Sequence, residues 1–242
     1  LGKTFWNAKP DLTTKVEQAE LNEVRPEKLP IVFDLDGTLL NGDSTSVWML
    51  DRIKMSVWRT LAAVVAIPIA LPLTLYAQSR RIGGSIFLWI ATVGLSEPEL
   101  RRSFASFAFN ASVGKGVNWR AAGLVQLEKH SRDGATVLLA TAAPTWLAES
   151  LSETLSVPVP VVGSSIIRFL GGWIADYHCR NLAKCEAIRR AGYGDRWAIA
   201  YSDSADDGPL LSGATTAFLV NASCRDIKRL TRSRVQFEQV AW

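Results

Sequence analysis

The chain has 242 residues, 48% of them hydrophobic, and a formal net charge of +4; that length suits one core domain plus an insertion, with apolar content ample for a packed core. The basic balance comes without any aromatic-interleaved basic motif, so no nucleic-acid partner is expected. Cys179, Cys185 and Cys224 offer neither a disulfide framework nor paired zinc-ligand spacing, and read as inert thiols in a reducing compartment.

Residues 1–29 are polar and charged and read as a loose arm or short helix; they lack the basic, then apolar, then small-residue pattern of a signal peptide. Ile31-Val32-Phe33 then reads as a buried strand, followed by Asp34-Leu35-Asp36 and a Gly37-Thr38 turn. Carboxylates suit the exposed C-terminal end of such a strand, the edge where open α/β sheets bind ligands. Side chains i and i+2 of an extended chain share a side, so Asp34 and Asp36 point into one small volume and repel unless a cation or proton lies between them.

Residues 42–115 form a long insertion with an unusual composition. Thr60 to Ser79 contains no charged residue and includes Pro68 and Pro72; Arg52, Lys54 and Arg59 flank it on one side, Arg80 and Arg81 on the other. Twenty uncharged residues just match a bilayer core of about 30 Å. Two prolines and basic flanks on both sides argue against a simple span and for a hairpin dipping into one leaflet. The alternative is a fully buried helix of a soluble protein. A second apolar run, Ile82 to Leu95, precedes Ser96 and Glu99, which are spaced as a capping box.

Thr136 to Thr141 is another apolar strand ending in a hydroxyl, and Pro144 suits the first turn of a helix. A hydroxyl beside helix N-terminal amides is a phosphate-oxygen site. Arg168 to Ala175 reads as a small hairpin turning at Gly171-Gly172. Lys184 opens a predicted helix, Leu182 to Ala191, and Trp197 to Ser202 is a strand running into Asp203-Ser-Ala-Asp206-Asp207. Strands near residues 31, 136, 160, 197 and 216, with helical crossovers, predict an α/β fold: a doubly wound parallel sheet, Rossmann-like, over 30–41 and 116–221, with an inserted helical cap. Arg225, Lys228, Arg229, Arg232 and Arg234 place a basic helix in the final segment, 222–242. It is either a solvated face or a partner for anionic lipid.

Asp34-Leu-Asp36-Gly-Thr-Leu, Thr141, Lys184 with Cys179 five residues before it, and Asp203 with Asp207 four residues after it resemble, in this order, the four motifs of the haloacid-dehalogenase-like phosphatase superfamily, in its phosphoserine-phosphatase-like branch. One departure stands at Ala143, where the family commonly has a hydroxyl. The resemblance implies a Mg2+-dependent phosphomonoesterase. Asp34 would be the nucleophile, giving an aspartyl-phosphate. Asp36 would be the acid, then the base. Thr141 and Lys184 would hold the phosphoryl oxygens. Asp34 and Asp203 would ligate the metal directly, Asp36 through its carbonyl, and Asp207 directly or through water; Asp206 is left as a turn or cap residue.

The insertion is similar to that of bacterial phosphatidylglycerophosphate phosphatases of the haloacid-dehalogenase type. The similarity rests on the proline-containing apolar run, Ser85-x-Phe-Leu-Trp89 and Gly94-Leu-Ser-Glu97, and outside the insertion Tyr201-Ser-Asp-Ser-x-x-Asp207-x-Pro-Leu-Leu also fits that group. It implies a phospholipid phosphomonoester substrate, an anionic membrane surface as partner, and work at the cytoplasmic face of the inner membrane. The alternative is a soluble cytoplasmic phosphatase of a small metabolite such as phosphoserine, and a remoter one is a degenerate membrane-bound interaction module. Oligomeric state is left open.

Overall fold

Ile31–Phe33 (β1) has no charged residue and is buried on both faces because it lies at the centre of a parallel sheet. The computed structural model describes residues 29–76 and 79–242, so the arm expected over 1–29 falls almost wholly outside them. After β1 come β2 (Leu40–Asn41), β3 (Asn118–Trp119), β4 (Val137–Pro144), β5 (Val161–Ser164), β6 (Ile166–Phe169), β7 (Gly172–Ala175), β8 (Trp197–Ser202), β9 (Ala214–Val220) and β10 (Glu238–Val240). The main sheet is six-stranded, all parallel, in the order β10-β9-β8-β1-β4-β5. This is the predicted α/β architecture, and its reversal of strand order at β1 sets the C-terminal strand ends as the binding edge.

Alternating side chains divide the core in two. Phe33, Leu139 and Tyr201 face one cluster, and Val32, Leu138 and Ala200 face the other. On the first face lie α5 (Ala121–Arg132) and α6 (Thr145–Ser152), through Leu127, Leu147 and Leu151. On the second lie α7 (Leu182–Ile188), α8 (Gly208–Gly213) and α9 (Cys224–Arg232), through Ile188, Leu210, Leu211 and Leu230.

The chain leaves the core at Asn41 and returns at Asn118, where β2 and β3 pair antiparallel. Between them are α1 (Ser44–Lys54), α2 (Val57–Leu75), α3 (Arg80–Thr92) and α4 (Glu97–Ser112). The predicted capping box opens α4: Glu99 accepts from the Ser96 backbone at 2.8 Å and from its hydroxyl at 2.6 Å. The uncharged run folds as α2 and the second apolar run as α3, and the two helices pack as a hairpin. Gly83 permits the contact, since a Cβ there would lie 2.7 Å from the Ala70 carbonyl oxygen. On α2 only Ala63 and Ala70 are buried. Val57, Leu61, Val64, Val65, Ile69 and Leu75 are exposed, so the fully buried alternative does not describe this helix. By length and composition α2 is able to cross a membrane, the single such helix among the described residues.

Three local expectations shift. The β6–β7 hairpin turns at Leu170-Gly171, both at positive φ (44° and 77°), one residue before the predicted Gly pair. Gly172 instead joins β7, where a Cβ would meet the Trp89 ring at 2.7 Å. β4 runs past Thr141 to Pro144, with a register irregularity against β5 between Ala140 and Pro144, and α6 begins only at Thr145. The basic final segment also carries β10, an edge strand with Val240 as its one apolar residue and hence almost no sequence signal.

Candidate active site

Asp34 follows the last residue of β1, and its backbone N–H donates to the Tyr201 carbonyl at 2.9 Å. The parallel ladder thus continues one residue past the strand and pins the carboxylate at the sheet's C-terminal edge. Lys184, on the first turn of α7, reaches it from the next layer: Nζ donates to Asp34 Oδ1 and to Asp207 Oδ2, each at 2.7 Å. Asp207 Oδ2 also accepts from the Ser202 hydroxyl at 2.8 Å. Thr38, in the turn after β1, donates its hydroxyl to Asp34 Oδ2 at 3.1 Å. Lys184, Asp34, Asp207 and Thr141 are all buried. An ion triad out of water is tolerated only when each charge is paired and hydrogen-bonded, as here.

Asp36 and Asp203 complete the ring of acids. Asp36 Oδ1 accepts from the Ser44 backbone N–H at 2.8 Å, which ties it to the N-terminus of α1, where Asp43 caps the Ser46 N–H at 2.7 Å. Asp203 lies against Gly37: a Cβ at Gly37, whose φ is +82°, would sit 2.1 Å from Asp203 Oδ2. Asp34, Asp36, Thr141, Lys184, Asp203 and Asp207 line one cavity of about 340 Å³. Thr141 Oγ1 accepts from the Ala143 N–H at 3.1 Å, within the bulged turn after Ala140.

The electrostatics follow from burial. Burial pushes Asp34 up to about 6, against the pull of Lys184. Burial, then neighbouring Asp43, pushes Asp36 up to about 7. Burial, then the charge of Asp34, pushes Asp203 up to about 7. Lys184 loses hydration too, but Asp207 and Asp34 outweigh that loss and hold it above the ordinary lysine value. The buried ammonium contacts Asp34 and Asp207, while Asp36 and Asp203 line the same cavity, an excess of acid that a divalent cation would balance. Among the described residues no three His, Cys, Asp or Glu side chains are grouped as an all-side-chain metal cluster. The donor set that fits Mg2+ is sparser: the carboxylates of Asp34 and Asp203, the Asp36 carbonyl, and oxygens from water and substrate. Asp207 Oδ2 accepts from Lys184 and Ser202, and the residue lines the same cavity, where it could serve the cation directly or through water.

Arg180 and Asp206 carried no catalytic assignment in the sequence. Arg180 forms an ion pair with Asp206, which Arg229 of α9 also contacts at 3.0 Å. These contacts hold Asp206 below the usual carboxylate range even though burial raises it. Thr38 and Ser202 also carried no role; both are partners of acids, and their positions after β1 and at the end of β8 were the only signal. Cys179 is buried, and burial pushes its thiol up to about 12, so it is inert at neutral pH. Ala143 is buried as well. A second cavity, about 420 Å³, shares Asp36, Asp43, Ala142 and Arg180 with the first and extends beneath α3. His178 lies in its wall.

Fold and site together define a parallel, Rossmann-like α/β protein with a carboxylate–lysine centre at the C-terminal edge of its sheet, beside the switch point. The haloacid dehalogenase-like hydrolase (HAD) profile matches residues 31–212, and the chain belongs to that family. No curated protein matches the chain. Among solved structures, a protein of unknown function from Bordetella pertussis Tohama I is similar at 19% identity and a TM-score of 0.66, covering 87% of this chain and 97% of that one. A phospho-aspartyl intermediate analogue of phosphoserine phosphatase is similar at 14% identity and a TM-score of 0.52, covering 84% and 91%. Cytosolic 5'-nucleotidase IIIB bound to cytidine is similar at 16% identity and a TM-score of 0.57, covering 93% and 86%. At these identities the likeness establishes a shared fold.

Proposed function

We propose that the protein is a Mg2+-dependent phosphomonoesterase that works through an aspartyl-phosphate, and that its substrate is phosphatidylglycerophosphate, released as phosphatidylglycerol and inorganic phosphate. The Asp34–Lys184–Asp207 arrangement beside Asp36 carries the chemical part. Asp34 attacks phosphorus, forming a carboxylate O–P bond as the bond to the leaving oxygen breaks. Asp36, held near neutrality, gives that oxygen its proton, then takes a proton from the water that cleaves the acyl phosphate. Lys184 and Thr141 hold the phosphoryl oxygens and balance their charge. Bound between Asp34, Asp203 and the Asp36 carbonyl, Mg2+ would cancel repulsion between nucleophile and phosphate dianion.

The lipid part rests on α2. Its exposed apolar side is of a kind that soluble monomers seldom leave bare. Thr74, the next-to-last residue of α2, lines the second cavity, so the apolar ridge ends beside the opening through which a leaving group passes. Arg225, Lys228, Arg229 and Arg232 on α9 add positive charge suited to anionic lipid. The protein would work as a peripheral or re-entrant enzyme at the cytoplasmic face of the inner membrane, and its three free thiols fit that reducing side. The competing reading is a soluble small-metabolite phosphatase, favoured by the likeness to phosphoserine phosphatase. Purified protein with Mg2+ is to be offered phosphatidylglycerophosphate, phosphatidic acid and a panel of soluble phosphomonoesters. Preference for soluble esters would end the lipid reading.

A further inference from the structure

We infer that Arg81 is a specificity-determining residue that selects phosphomonoesters whose leaving alcohol carries a second anionic group of the phosphodiester kind. The inference deepens the proposed phosphatase reading and rests on it.

The two cavities divide the work. Asp36 and Ala142 stand on the wall common to both, so an ester with its phosphoryl group against Asp34 and Lys184 projects its leaving alcohol past Asp36 into the second cavity. That cavity has an apolar side, including Met49, Phe87 and Ile166, and a charged side. Among the described residues its guanidinium groups are Arg81 and Arg180. Arg180 is held by an ion pair with Asp206, an acid it shares with Arg229. Arg81 is different: its Nη1 donates to the Asp176 backbone carbonyl at 2.6 Å, a neutral acceptor, and among the described residues it pairs with no acid. It is also exposed, at the edge of the cavity rather than within it.

Two further observations agree. Arg81 sits in the first turn of the 13-residue α3, where the helix dipole disfavours a cation and favours an anion. A ligand anion there would relieve the mismatch and accept charge-assisted hydrogen bonds from the fork. One turn on, Gly84 lines the same cavity, and an added Cβ there meets no atom within 4 Å, so the space before Arg81 is open. The charge pattern along the route runs from the phosphoryl site, past a proton donor, to an unmatched guanidinium at the mouth. It suits an ester with a second negative charge a few bonds beyond the scissile oxygen. A lipid headgroup and its deacylated form share that chemistry.

The test compares the wild-type protein with Arg81→Gln and Arg81→Lys, all with Mg2+, on three substrates: glycerol 3-phosphate, glycerophosphoglycerol phosphate, and dihexanoyl phosphatidylglycerophosphate kept monomeric so that surface binding plays no part. For Arg81→Gln, KM is expected to rise about tenfold or more on both phosphodiester-bearing esters, with kcat little changed and glycerol 3-phosphate affected less than about twofold. Arg81→Lys should recover part of the loss. Equal losses on all three substrates would mark a purely structural role and overturn the inference, as would no loss on any, or a wild-type enzyme that does not prefer the phosphodiester-bearing esters. If wild type ignores the acylated ester while Arg81→Gln still selectively weakens the deacylated one, the lipid reading fails and the role of Arg81 stands.

Discussion

Lys184 and Asp34 are separated by 150 residues in sequence and by 2.7 Å in space, and the same ammonium lies 2.7 Å from Asp207. A single cation on α7 therefore fastens the end of β1 to the turn after β8. The place of Asp34, the proposed nucleophile, is tied to that one side chain.

Lys184→Met should accordingly cost both stability and activity. Removing the ammonium leaves Asp34 and Asp207 buried without a counter-charge, a loss on the order of 3–5 kcal/mol. Urea unfolding should show the midpoint fall with little change in slope, and phosphatase activity should vanish. A variant as stable as the parent would mean that the triad is not a structural tie.

Asp34→Asn and Asp36→Asn should fail differently. Asp34→Asn removes the nucleophile and should lower turnover by more than about 10³-fold, with no burst. Asp36→Asn should still release about one equivalent of p-nitrophenol from p-nitrophenyl phosphate, because that leaving group needs little protonation, and then stall about 10²-fold or more below the parent. Rapid-quench kinetics separates the two. A full turnover rate in either variant would remove that residue from the scheme.

Mg2+ should stabilise the protein in a pH-dependent way. Asp34 is raised from 3.8 to about 6, and Asp36 and Asp203 from 3.8 to about 7. For acids raised in this manner, the folded state binds more protons than the unfolded one. Their contribution is complete below 3.8 and is lost as pH rises through about 6 to 7. Mg2+ competes with these protons, so its increment in Tm should be small near about pH 5 and larger near about pH 8. Asp203→Asn should flatten that difference. Thermal melts giving the same increment at both pH values would refute the cation's place.

Gly37→Ala tests the cradle for Asp203. The substitution forces a side chain onto φ +82° and places Cβ 2.1 Å from the carboxylate. Activity should fall by about 10²-fold or more as Asp203 is displaced, and the Mg2+-induced rise in Tm should shrink with it. Retention of both would show that Asp203 has another resting place.

The apolar ridge is open to a direct measurement. Leu61 and Val65 are 61% and 77% exposed, so Leu61→Glu with Val65→Glu should leave the unfolding free energy and p-nitrophenyl phosphate hydrolysis within about 1 kcal/mol and about twofold of the parent. Co-sedimentation with anionic vesicles should be lost. Vesicle binding that survives the double substitution would place the contact elsewhere.

Much of this was legible along the chain. Strands β1, β4, β5, β8 and β9 each carry an apolar run ended by polar or turn residues, and the box at Ser96 and Glu99 is a local pattern four residues long. Arg180–Asp206 was not legible in that way, because nothing near Arg180 in sequence names an acid in the turn after β8. The hairpin turn shifted by one residue because Gly172 was needed under the Trp89 ring, a contact 83 positions away by numbering that no local turn preference contains.

By itself the sequence determined the chemical inventory: which acids, hydroxyl and lysine stand at strand ends or helix starts, and that a long uncharged segment interrupts the core. Those are properties of residue type and near-neighbour spacing, which local sterics and hydrophobic periodicity decide. Tertiary structure alone decided which acids Lys184 holds, that Asp203 rests on Gly37, that Arg81 borders the second cavity with no acid paired to it among the described residues, and that α2 keeps its apolar side outward. Each depends on packing between elements distant in the chain, where burial and the Coulomb field of groups from several elements, rather than sequence neighbours, set position and charge.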